Sequence, residues 1–148
     1  MKRLSTKDIL QGLISDPYAK RYFLGVFPRD KVPRITKYPS SLIVNTDKQG
    51  ERGEHWLAIY VDKYKNCEFF DSFGLSEKDY GFDGYIRTFS RNYTSYKLQM
   101  QYISSNACGY YCIYFILFKS RGLSLNEIQS LFSRDDFNFN DFLVSFIV

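Results

Sequence analysis

Histidine is nearly absent from this chain: there is one in 148 residues, His55. Any chemistry that needs an imidazole therefore has a single candidate. Cysteine is scarce as well, and the count of three (Cys67, Cys108 and Cys112) is odd. The N-terminal Met1-Lys2-Arg3-Leu4-Ser5 turns polar at once and offers no apolar leader. Both features argue against a secreted disulfide framework and predict a reducing, intracellular setting. No apolar run approaches the roughly 18 residues of a membrane span. Like charges form no block of roughly five or six, so the formal charge of +4 reads as a weakly basic, solvated face. Weak nucleic-acid binding is left open by that balance and not argued by it. P-loop and dinucleotide fingerprints are missing.

Aromatic residues are what the chain has in plenty, with fourteen Phe and thirteen Tyr. The plain reading is a core built from large flat side chains; the functional one is a ring-lined peptide groove. The length suits a single domain, 1–148. Ser5-Thr6-Lys7-Asp8 resembles a capping box, and Ile9, Leu10, Leu13 and Ile14 follow at helical spacing, so a helix is predicted to about Ser15. Residues 16–38 read as loop interrupted by the apolar Tyr22–Phe27. Strands are predicted at Ser41–Asn45, Trp56–Asp62, Cys67–Asp71 and Lys97–Ile103, with a hairpin turn centred on Tyr64. Helices are predicted from Ser76, from Cys108 to a stop at Gly122, from Ser124, and over Asn138–Val148. The sum is an α+β domain, a mainly antiparallel sheet packed against a helix that carries Cys108.

Cys108 stands where the irregular Ser104-Ser105-Asn106-Ala107 gives way to that helix. Unpaired backbone N–H groups and the positive end of the helix dipole favour a thiolate there. Gly109 would let a substrate backbone approach. Cys67 and Cys112 read as buried structural cysteines. His55 opens a strand after a polar loop, a rim position from which imidazole can take or return the thiol proton. A hairpin centred on Tyr64 would set Asp71 opposite Leu57, on the same face as His55, where a carboxylate can orient the ring. An acyl-transfer site also needs donors for the oxyanion; the Cys108 N–H is one, and Gln99, Gln101 and Asn106 are candidates for a second. His55, Cys67, Cys108 and Cys112 could in principle form a zinc site, but Cys108 and Cys112 lie inside an apolar helical run with no second close ligand pair, so no metal is expected.

The order His, acid, Cys excludes a papain-like arrangement, in which Cys comes first. The strings His55-Trp56, Asp71-Ser72-Phe73-Gly74, Gln101 and Cys108-Gly109 resemble, in order and spacing, the adenovirus endopeptidase (adenain) branch of the ubiquitin-like-protease clan of cysteine peptidases. Tyr22-Phe23-Leu24-Gly25 and Leu42–Thr46 resemble the same family, so the likeness runs from about Tyr22 to Phe118. It implies the adenain fold, with Cys108 as nucleophile, His55 as base and acid, Asp71 as orienting acid and Gln101 as oxyanion donor. It also implies that Trp56 packs beside the catalytic pair, and that Asn45 and Gly53 flank the substrate groove with Gly109.

The implied activity is a cysteine endopeptidase that matures viral structural precursors by cutting near small, Gly-type residues. The chain departs from the pattern in three ways. It has Asp71 where the adenovirus enzymes usually have Glu, as SUMO and ubiquitin-like proteases do. It is shorter. It has no cysteine between Cys67 and Cys108 to match the one that disulfide-links the adenovirus activating peptide. No cofactor is therefore expected, with a peptide or DNA activator as the family's alternative. A monomer in the host nucleus or cytoplasm, or in the virion, is implied, with a polypeptide substrate and no membrane partner. Two other readings stand beside this one: a SUMO or ubiquitin-like deconjugase, and a catalytically silent module that binds peptide or DNA.

Overall fold

Ser5 caps the first helix as its sequence requires. Its hydroxyl accepts from the Asp8 N–H at 3.2 Å, and the Asp8 carboxylate accepts from the Ser5 N–H at 2.9 Å. Helix α1 (Thr6–Ile14) buries Ile9 and Leu13. The structure, a computed structural model, describes residues 1–51 and 55–147. After a short 3-10 turn at Ala19–Arg21 come β1 (Phe23–Phe27), β2 (Ser40–Asn45), β3 (Trp56–Val61) and β4 (Asn66–Phe70). Then follow α2 (Glu77–Tyr80), α3 (Asp83–Arg87), β5 (Asn92–Ser95), α4 (Cys108–Ser120), α5 (Leu125–Gln129) and α6 (Phe137–Val144).

The sheet runs in the order β1-β2-β3-β4-β5. Its centre, β2–β3–β4, is antiparallel, while β1 pairs with β2 and β5 with β4 in parallel. The sheet is thus mixed, where a mainly antiparallel one was expected. The two edge strands account for the difference. The apolar Tyr22–Phe27 contains β1, whose register shifts between Phe23 and Val26 around Gly25. The β5 sequence Asn92-Tyr93-Thr94-Ser95 is polar, as suits an edge with one neighbour, and offers little period-2 signal. Lys97–Ile103, expected as a strand, is irregular. There the adjacent Met100 and Gln101 are both buried and Tyr102 is 45% exposed, so the apparent alternation is not the real one.

Both faces of the central strands are covered, which is why β2 and β3 read as nearly unbroken apolar runs. Ile43, Ala58 and Phe70 face α4 and α1, while Leu42, Val44, Leu57, Ile59 and Phe69 face Phe82, Ile86 and Phe89 around α3. Cys67 belongs to the second layer, and Cys108 and Cys112 to the first. Helix α4 is apolar on almost every side and is buried accordingly, with Phe115 stacked on Phe70 at 4.8 Å and edge-on to Tyr96 at 5.1 Å. Among the described residues, no helix is long and apolar enough to cross a membrane, and no group of three or more His, Cys, Asp or Glu could hold a metal.

Gly74 closes the turn after β4 with φ +82°, and a Cβ there would lie 2.9 Å from the Leu98 carbonyl carbon and 3.0 Å from the Gln99 nitrogen. Backbone against backbone leaves nothing that can rotate away. Gly74→Ala is expected to lower unfolding free energy by about 1–3 kcal/mol, measured by urea denaturation.

Candidate active site

The hairpin register decides which residues meet. Ala58 pairs with Phe70 and Val61 with Cys67, so the ladder continued by one step sets Asp71 opposite Leu57. That brings His55, just before β3, onto the Asp71 carboxylate, with Nε2 2.6 Å from Oδ1. Asp71 is fully buried and accepts from three other donors: the N–H of Phe73 at 3.2 Å, the N–H of Leu75 at 3.0 Å and the Tyr80 hydroxyl at 2.8 Å. The Phe73 ring stacks on the imidazole at 5.0 Å and 26°. With Nε2 committed to Asp71, Nδ1 is the ring atom left for Cys108, which helps keep the ring protonated.

Cys108 is the first residue of α4 and is 5% exposed. Burial pushes its thiol up. The hydrogen bond and charge of His55, the Trp56 backbone N–H and the Arg3 charge outweigh that and hold it below the ordinary value. Burial likewise works against a charged imidazole, but Asp71 and Cys108 outweigh it and raise His55 to about 9. The two shifts describe one event, the stabilisation of a thiolate–imidazolium pair. Cys67 and Cys112 go the other way, each pushed well up by burial.

A cleft of about 540 Å³ opens over this pair, lined by His55, Cys108, Gln101, Ser105, Asn106 and Ile103 among others. Gln101 is 1% exposed and Ile103 is 75% exposed. Gln99 does not line the cleft; its side-chain amide donates to the Gln101 carbonyl at 3.0 Å. Asn45 and Trp56 line a neighbouring cleft of about 550 Å³ that shares Arg3 and Asp47 with the first. Asn45 accepts from the Asp47 N–H at 2.8 Å, and Trp56 Nε1 donates to the Leu4 carbonyl at 3.4 Å. Gly109 is turned away from both clefts. A Cβ on it would meet Leu4 Cβ at 3.2 Å and Ile9 Cδ1 at 3.4 Å, so its missing side chain makes room for the N-terminal segment rather than for a ligand. Gly53 lies outside the described residues.

Three contributors went unread in the sequence. Phe73, and not Trp56, is the ring stacked on His55. Tyr80 supplies a donor to Asp71 from α2. Ser72 donates to Gln101 Oε1 at 2.5 Å. Phe73 and Ser72 stand inside the motif Asp71-Ser72-Phe73-Gly74, so their neighbourhood was visible and their contacts were not. Nothing local marks Tyr80.

No protein-family model matches the chain. A protease of human adenovirus B serotype 3 is 32% identical over 129 residues, covering 76% of this chain and 61% of that protein. A protease of bovine adenovirus 2 is 29% identical over 126 residues, covering 76% and 62%. The chain thus spans about three fifths of the length of these curated relatives. Among solved structures, an ASFV protease superposes with a TM-score of 0.60 at 17% identity, covering 94% of this chain and 66% of that one.

The ASFV enzyme thus shares the fold of this chain. The chain is similar in sequence to the two adenovirus proteases over about three quarters of its own length.

The lone histidine makes the electrostatics directly measurable, because its ring protons need no assignment. An NMR titration of His55 is expected to give a midpoint near 9. In Cys108→Ala the midpoint should fall, since the sulfur's hydrogen bond and charge both favour imidazolium.

Proposed function

We propose that the chain is a cysteine endopeptidase in which Cys108 is the nucleophile, His55 the acid and base, and Asp71 the residue that orients His55. The observation that carries this reading is the continuous line from the buried Asp71 carboxylate through His55 Nε2 to the sulfur of Cys108 at the head of α4. Thiolate Cys108 attacks a backbone carbonyl carbon. The developing oxyanion is held by the Cys108 N–H and the Gln101 side-chain N–H. Nδ1–H of His55 then protonates the departing amine as the C–N bond breaks, leaving an acyl-enzyme. Water, deprotonated by the now neutral His55, releases the acid and restores the thiol.

The proposed substrate is a viral structural precursor cut next to small residues, a reading supported by the likeness to adenovirus proteases. Cleavage in this reading needs no metal and no disulfide-linked peptide; for the latter, no cysteine lies between Cys67 and Cys108 to hold one. Asn45 and Trp56 border the groove beside the reacting centre. The protein acts inside the host cell or the virion.

Profiling on a peptide library, with Cys108→Ala as the control, tests the proposal. Cleavage by the parent and its loss in the variant are expected; equal cleavage by both rejects it. A library consensus ending in Gly-Gly, together with processing of a ubiquitin-like precursor, would point to a deconjugase instead.

The pH profile is a separate check. Below the lowered thiol pKa both cleavage and alkylation of Cys108 fall, as the thiolate is protonated. Above about pH 9 His55 loses the proton it must give to the leaving amine. There cleavage is expected to fall while alkylation, which needs only the thiolate, does not.

A further inference from the structure

Gln101 enters the cleft from an irregular segment, yet its side chain is fully bonded. Oε1 accepts from the Ser72 hydroxyl at 2.5 Å. Nε2 donates to the Ser105 carbonyl at 2.9 Å and to the Ser105 hydroxyl at 3.1 Å. The backbone on either side is clamped independently. The N–H groups of Met100 and Gln101 both donate to the Ser72 carbonyl, at 2.8 and 3.1 Å. From α6, the fully buried Asn140 donates through Nδ2 to the Met100 carbonyl at 3.0 Å. The position of Gln101 is therefore set by its backbone, and what its side-chain bonds add is the direction of the carboxamide.

A carboxamide is nearly symmetric in shape and opposite in chemistry at its two ends. The Ser105 carbonyl can only accept, so it selects the NH₂ end. The Ser72 hydroxyl can donate or accept, and with the NH₂ end so directed it supplies the buried oxygen end with its donor. Ser105 Oγ is a different kind of partner: a rotatable hydroxyl lining the cleft, bonded to the same nitrogen.

We propose that Ser72 is a positioning residue that fixes the Gln101 carboxamide with its NH₂ group toward the cleft, and that the Ser105 hydroxyl holds, in the resting protein, the N–H that the substrate oxyanion takes over. This deepens the endopeptidase reading and rests on it. Without the Ser72 hydroxyl, Oε1 loses its donor in a buried site. The amide is then free to turn or withdraw, and either movement takes an N–H from the place where negative charge develops.

The test is a set of steady-state measurements on the best-cleaved library peptide, with Cys108 alkylation by iodoacetamide as a check that the fold and the His55–Cys108 pair are intact. Ser72→Ala is expected to lower kcat about 10- to 100-fold. Its KM should stay within about twofold and its alkylation rate should match the parent's. In the double variant with Gln101→Ala, Ser72→Ala should cost nothing further, because it acts only through that amide.

A parent-like kcat in Ser72→Ala, or losses that multiply in the double variant, would each overturn the assignment. If Ser72→Ala does not fold, Ser72→Thr and Ser72→Val, equal in shape and differing in the hydroxyl, carry the comparison: kcat should survive in the first and fall in the second, and equal values overturn it. A parent that cleaves no peptide and whose Cys108 is alkylated no faster than Cys67 and Cys112 sinks the endopeptidase reading itself. That result is distinct from a parent that cleaves and is matched by Ser72→Ala.

Discussion

A carboxylate with no exposure to solvent sits at the end of β4, and the order of the whole site depends on keeping it satisfied. Asp71 accepts four hydrogen bonds, from a ring, two backbone amides and a phenol. An unpaired carboxylate buried to this depth would cost several kcal/mol, so each donor is held in place by the penalty of leaving. The donors come from different parts of the chain. His55 precedes β3, Phe73 and Leu75 form the turn after β4, and Tyr80 ends α2. One buried charge thereby joins two strands, a turn and a helix, and stabilises the imidazolium that pairs with the sulfur at the head of α4.

Backbone groups do more of this work than the side-chain list suggests. The amides of Phe73 and Leu75 reach Asp71 because Gly74 turns through a positive φ. The Trp56 amide helps hold the Cys108 thiol low, while the Trp56 ring serves the core and anchors Leu4. Leu4 in turn fills the space that Gly109 leaves open. Residues whose identities match a family motif are thus required for unlike reasons: some for the atoms they aim at the cleft, some for bulk they lack.

This separates what could be read in the sequence from what could not. The capping box at Ser5, the strands on either side of the Tyr64 turn and the helix opening at Cys108 were legible, because each is specified by spacing within a dozen residues. The approach of Asp71 to His55 was legible for the same reason, since a hairpin centred on a known turn has a known register. The edges were not. β5 carries almost no period-2 signal, and Lys97–Ile103 shows an alternation that its long-range bonds override. There Met100 and Gln101 take their partners from Ser72, Asn140 and Ser105, and no local pattern encodes those contacts. Tyr80 was unreadable on similar grounds, as a phenol nine residues from the carboxylate that it serves.

The parallel pairing of β4 with β5 has a consequence of its own. Parallel neighbours cannot be joined by a tight turn, so the chain must cross over between them. Here the crossover is the stretch from Asp71 to Arg91, and its first half is the stretch pinned to the imidazole through Phe73 and Tyr80. Loop-closure entropy is nearly indifferent to a few added residues anywhere in such a connection. The bonds to Asp71 are not. The stretch before Tyr80 therefore has a length set by chemistry rather than by topology.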